Sequence, residues 1–325
     1  MEKWKTRVTE MLGMEYPIIQ GAFGVFGTSA LAAAVSEAGA LGMITALAIE
    51  TPEKLREDIH RLKSKTDKAF AVNLTIGYTA TIDEMVDVII AEKVPVVETS
   101  VYKADVYGKR LQEAGIKWIH KVATMRHALS AEAQGVDGIV HSLFQFHDNK
   151  SPIQVPSLIG IPWAVRQIKI PIIAGGGVGD SYGFMATLAM GAEAVCIGTA
   201  FMATKECPIS ERHKQIMVEG NPDDPRFRER NLVPTKTEEY SKVLEKKGNI
   251  SRDKWLRGLE AATMGDQQID SERIGAMLQE EDMEAVLQFA PGSLARSLSN
   301  KVMTVKEFIE SIITGAEAIR RRWSI

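Results

Sequence analysis

Cysteine is almost missing from this sequence: Cys196 and Cys207 are the only two in 325 residues. Two thiols cannot make a disulfide framework, nor a four-ligand zinc site by themselves. Neither sign of charge dominates. Lys plus Arg number 39 against 42 Asp plus Glu, for a net charge of -3. No global field therefore draws the protein to nucleic acid or to an anionic membrane, and neither is expected as a partner. No apolar stretch approaches the ~20 residues of a transmembrane helix. The opening Met1-Glu2-Lys3-Trp4-Lys5 leads into no apolar signal core, so the expected location is the cytoplasm. Also lacking are a Gly-x-Ser-x-Gly elbow, a His-Glu-x-x-His pair and a Walker lysine loop. What is present is an ordinary globular profile, 45% hydrophobic and 25% charged, with length enough for one large α/β barrel and an added piece.

The dominant pattern is an alternation. A short β-branched run is followed by an amphipathic helix, then a glycine, then the next run. The runs are Tyr16 to Gln20, Leu41 to Ala46, Ala69 to Ile76, Pro95 to Thr99, Lys117 to Val122, Asp137 to Ser142, Ile170 to Ala174 and Glu193 to Gly198. A spacing of about 25 residues is that of one βα unit in a barrel. Gly39, Gly115, Gly135 and Gly191 each stand between a helix and the following run, where glycine makes a left-handed cap cheaply. Eight such units predict a (β/α)8 TIM barrel. The rival is an open doubly wound sheet, disfavoured because no Gly-x-Gly-x-x-Gly follows the first run. Residues 204–300 change in texture and predict a helical cap inserted after the eighth strand. The barrel is thus expected over 1–203 and 301–325, closed by an amphipathic helix from Thr304 to about Arg322.

In such a barrel, chemistry belongs at the C-terminal ends of the strands. Those ends carry Gln20-Gly21-Ala22, Thr45, Asn73, Glu98, Lys121, His141, Gly175-Gly176-Gly177 and Gly198-Thr199. The glycines of strands seven and eight predict a phosphate cradle, since they bare backbone N–H groups beside a helix start near Asp180 or Ser181. Asn73 interrupts an apolar strand, and its amide can donate and accept at once, which suits a flavin edge or a base; Gln20 follows the same logic. Among the histidines, His60, His127 and His213 read as exposed helix residues. His120 should point away from the side that Lys121 faces. His147, in the loop after strand six, is the expected general base, with His141 in reserve. Cys196 reads as inert core.

Pro17-Ile18-Ile19-Gln20-Gly21, the segment Leu31 to Gly42, Ala71-Val72-Asn73-Leu74, Ile170 to Val178 and Gly191 to Phe201 together resemble the nitronate monooxygenase family, formerly 2-nitropropane dioxygenase. That family is related to the type II enoyl-acyl-carrier-protein reductases. The resemblance implies an FMN-binding barrel. Gln20, Gly21, Ala22 and Asn73 would meet the ring, and Gly175, Gly176, Gly177, Gly198 and Thr199 would hold the phosphate. Lys121 joins this cofactor-binding set. The implied reaction is oxidation of alkyl nitronates with O2. The alternative is NAD(P)H-dependent reduction of an enoyl thioester or quinone, with nicotinamide stacking on the flavin. Two further readings are a flavin-binding or phosphate-binding protein whose catalytic loop has lost its function and a barrel lyase or isomerase without flavin. One departure stands out: the family's Gly-Gly-His-x-Gly loop is replaced by Phe144-Gln145-Phe146-His147-Asp148-Asn149-Lys150. The oligomeric state is left open, a homodimer among the options.

Overall fold

Each apolar run becomes a strand because its β-branched side chains fill both faces of a buried parallel sheet. The computed structural model describes residues 4–22, 26–77, 81–101, 103–142, 155–220 and 301–323. The strands are β1 (Ile18–Gln20), β2 (Gly42–Thr45), β3 (Phe70–Thr75), β4 (Val96–Ser100), β5 (Lys117–Val122), β6 (Gly138–Ser142), β7 (Ile172–Gly175) and β8 (Ala194–Ile197). All pair in parallel in the order β1-β8-β7-β6-β5-β4-β3-β2.

The two end strands also meet. Ile19 bridges Leu41, Gln20 N–H donates to Leu41 C=O at 2.9 Å, and Leu41 N–H to Ile18 C=O at 2.9 Å. The Gln20 side chain extends this seam. Its Nε2 donates to Met43 C=O at 3.0 Å, and its Oε1 accepts from Met43 N–H at 3.1 Å. The sheet is therefore a TIM-type barrel, and the open doubly wound alternative is excluded.

The helices are α1 (Arg7–Leu12), α2 (Ser29–Glu37), α3 (Pro52–Lys63), α4 (Ile82–Ala91), α5 (Asp105–Glu113), α6 (Met125–Gln134), α7 (Ser157–Gln167), α8 (Ser181–Ala189), α9 (Thr199–Met202), α10 (Glu211–Glu219) and α11 (Val305–Trp323). Gly39, Gly115, Gly135 and Gly191 take φ of 88°, 80°, 87° and 100°, the left-handed stops that the sequence predicts. None of the helices among the described residues is long and apolar enough to cross a membrane.

Two apolar layers result from strand alternation. Ile19, Met43, Ala71, Val96, Ile119, Val140, Ile173 and Ala194 fill the barrel, plugged from below by Val8, Leu12 and Met14 of the α1 region. Val72, Val97, Trp118 and Ile139 face the helices instead. Arg7 fastens the plug, with its Nε 2.9 Å from Glu193 Oε1.

α11 buries Val305, Phe308, Ile309, Ile312, Ile313 and Ala316 in one cluster with α2 and α8. The approach is close: a Cβ on Gly315 would lie 2.4 Å from Ser181 Oγ. Arg320, from the terminal arginine triplet, sits over the Trp4 ring at 5.1 Å.

The chain leaves the barrel at Thr204 and returns at Met303, which are bridged to each other. Cys207, Ile209, Ile216, Met217 and Val218 share the α8–α11 core, so the first part of the expected cap packs with the helix ring. Residues 221–300 of that cap lie outside the described residues.

Candidate functional site

Alternation sorts the strand-end residues into two sets. Asn73 shares a face with Ala71, Glu98 with Val96, and Lys121 with Ile119. These three point into the barrel above its apolar floor. They also touch. Lys121 Nζ lies 2.6 Å from Glu98 Oε1, and Asn73 Nδ2 donates to the same oxygen at 2.8 Å. Thr75 Oγ1 in turn donates to Asn73 Oδ1 at 3.2 Å. Glu98 is fully buried, Asn73 and Lys121 nearly so.

An ammonium and a carboxylate removed from water are costly unless paired and hydrogen-bonded. Here the pairing is one-sided. Glu98 Oε2 is buried and has no hydrogen-bond partner among the described residues, and neither does the strand-end hydroxyl of Thr45. Cys196 lies in the same lumen, where burial pushes its thiol up to about 12 while Lys121 pulls the other way; it stays protonated, as its apolar strand suggests.

Gly21 and Ala22 stand at the β1 end of the lumen. A Cβ on Gly21 would come within 3.3 Å of Gly198 Cα, so the two strand ends meet backbone to backbone. Ala22 packs on the interior core.

At β7, Gly175 is buried, whereas Gly176 and Gly177 reach the surface with φ of 102° and 74°. Their N–H groups donate to no described residue. Asp180 caps α8 by accepting Gly183 N–H at 2.8 Å; the two glycine donors stand ahead of that cap. Gly198 and Thr199 begin α9 on the neighbouring strand and are half-buried. The arrangement can take a ligand with an anionic end on the glycine rim and a hydrogen-bonding flat end in the lumen.

Several expectations need correcting. The Gln20 amide, expected at the ring, makes one bond from each end to Met43 in the barrel seam. His213 is not exposed but fully buried, and His127 is half-buried. His141 shares the outward face of Ile139, not the lumen face of Val140. It is 1% exposed, both ring nitrogens are without partners, and burial pulls it down to about 4. His120 does turn away from Lys121 as expected. Thr99 Oγ1 accepts from Trp118 Nε1 at 2.7 Å and lies in hydrogen-bond contact with His120 Nδ1 at 2.7 Å. His60 is exposed on α3 beside Glu92. His147, with its whole loop, lies outside the described residues.

Glu98 was visible in the sequence only as a strand end. The signal that marks it is a carboxylate inside Val96-Val97-Glu98-Thr99, a run too apolar for a solvated position.

The nitronate monooxygenase profile matches residues 5–85 and 75–315. A probable nitronate monooxygenase of Staphylococcus aureus is 30% identical over 264 residues, covering 68% of this chain and 74% of that protein. The (3aS,4S,5R,7aS)-5-hydroxy-7a-methyl-1-oxo-octahydro-1H-indene-4-carboxyl-CoA dehydrogenase of Rhodococcus jostii is 28% identical over 265 residues, covering 81% of this chain and 72% of that protein. FabK from Thermotoga maritima superposes with a TM-score of 0.76 at 29% identity, covering 98% of each chain. With a closed eight-stranded barrel, a polar lumen and a family profile spanning nearly its whole length, the chain belongs to the nitronate monooxygenase family of oxidoreductases.

Proposed function

We propose that the protein is an FMN-dependent oxidoreductase that oxidises alkyl nitronates with O2. The observation that carries the cofactor is the buried Asn73–Glu98–Lys121 group under an open glycine rim. Among the described residues, Glu98 Oε2 and the N–H groups of Gly176 and Gly177 have no partner, which suits a ligand that is hydrogen-bonding at one end and anionic at the other. FMN has both. Bound there, it supplies a two-electron acceptor.

The chain's own part is binding and orientation. Gly175, Gly176, Gly177, Gly198 and Thr199 hold the phosphate by backbone donors. Asn73 and Lys121 present donors to the ring edge, and Gly21 and Ala22 keep the β1 side low enough for a flat ring to enter. The nitronate assignment follows the family profile and the S. aureus relative.

His147 is the imidazole that moves the proton. His147→Ala should lower the chemical step about 10²–10⁴-fold with FMN still bound; an unchanged rate would remove histidine from the mechanism.

A second reading is favoured by the CoA dehydrogenase relative and by the match to FabK along the whole chain. In it, NAD(P)H reduces the flavin and a thioester is the substrate. Anaerobic rapid mixing of the purified protein with NADH, NADPH and a small alkyl nitronate separates the two. Bleaching of the flavin by the nitronate alone supports the first; bleaching by a nicotinamide alone supports the second.

A further inference from the structure

Among the described residues the lumen carries one charged pair, and the geometry around it is asymmetric. Lys121 Nζ and Asn73 Nδ2 both converge on Glu98 Oε1, at 2.6 Å and 2.8 Å. Asn73 Nδ2 also approaches Glu98 C=O and Ser100 Oγ, each at 3.4 Å. The other carboxylate oxygen, Oε2, meets nothing among the described residues although it is fully buried. A pair serving stability alone is better replaced by apolar side chains, and the layer beneath it is already apolar. Glu98 comes from β4, Asn73 from β3 and Lys121 from β5, so the carboxylate stands between its two partners on adjacent strands. It therefore fixes where both of their donors sit.

We propose that Glu98 is a positioning residue of the cofactor site. It holds the Lys121 ammonium and the Asn73 amide in place and offsets the lysine's charge, so that the pair, and not the lysine alone, sets the reduction potential of the flavin. This rests on the reading that FMN occupies the lumen. The physical basis is that charges act strongly at short range where water is excluded. An uncompensated cation beside the ring favours the electron-rich reduced form, and an uncompensated anion disfavours it.

The test is the midpoint potential of the FMN-loaded protein, measured by equilibration with a reference dye, for the wild type and the variants E98Q, E98D and K121M. E98Q keeps an acceptor for Asn73 but removes the charge, and its potential should move positive. K121M leaves the carboxylate and should move it negative. E98D retains the charge and should lie closer to the wild type than E98Q does. Unchanged potentials in E98Q and K121M, with flavin bound and only thermal stability lowered, would make Glu98 structural and overturn the proposal. If E98Q fails to fold, K121M and E98D decide by the same criteria. A wild-type protein that takes up no FMN would bring down the cofactor reading and this proposal with it. FMN binding with an insensitive potential would bring down this proposal alone.

Discussion

Gln20 shows how one residue type can fit two roles until its neighbours are known. A buried amide in an apolar strand needs partners, and a ligand edge is one source of them. The barrel supplies another. β1 is three residues long and pairs only briefly with Leu41, so the Gln20 side chain takes over where its backbone stops, bonding Met43 on both sides. Gln20→Leu should leave the Met43 N–H and C=O unpaired, at about 1–3 kcal/mol each. A total loss of about 2–6 kcal/mol is expected in urea unfolding, with the barrel weakened at its seam. A loss within error of zero would mean that water replaces the amide.

Among the elements, β5, β6 and α6 hold three imidazoles that burial keeps neutral. His120, His127 and His141 are each drawn down to about 4, chiefly by burial. Between that value and their ordinary one near 6.5, the unfolded chain binds more protons than the folded one. Stability should therefore fall as pH drops from 6.5 towards 4, and change little from these groups above 6.5. For the two most buried, His120 and His141, the slope is at most about 1.4 kcal/mol per pH unit each. Urea midpoints between pH 7 and pH 5 should show it, and His141→Leu should make the dependence shallower.

The βα turn after β7 allows a matched comparison. Gly177 and Gly135 have φ of 74° and 87°, so valine at either is strained by about 1–3 kcal/mol. Gly135 ends α6, and a Cβ there meets nothing within 4 Å. Gly135→Val should lose stability alone. Gly177→Val should lose stability and FMN affinity together; equal flavin content in the two variants would move the phosphate elsewhere.

For the molecule as a whole, the barrel is held at both ends of the chain. α1 plugs its floor, and α11 closes the helix ring between α2 and α8 after the chain returns beside Thr204. The six apolar side chains that α11 buries contribute on the order of 10 kcal/mol, at about 1.5–3 kcal/mol for each of the five larger than alanine. That rivals the ~5–15 kcal/mol net stability of a typical protein. A chain ending at residue 300 should therefore lose its cooperative thermal transition, and a retained transition would show that the ring closes without α11.

Local pattern was enough to establish the repeat. Eight β-branched runs, the glycine stops between them and the apolar face of the last helix have periods set by backbone geometry. It also marked the mouth residues, because a polar group at the end of an apolar strand is costly unless a partner or a ligand meets it. Which of them work together was settled in the folded barrel. Strand order put Glu98 between Asn73 and Lys121, in register with the first and two residues before the partner of the second. Ring closure brought Gln20 to Met43. The burial of His213 likewise depended on packing between α10 and the elements around it. Each of these outcomes rests on contacts between residues far apart in the chain, which no local period encodes.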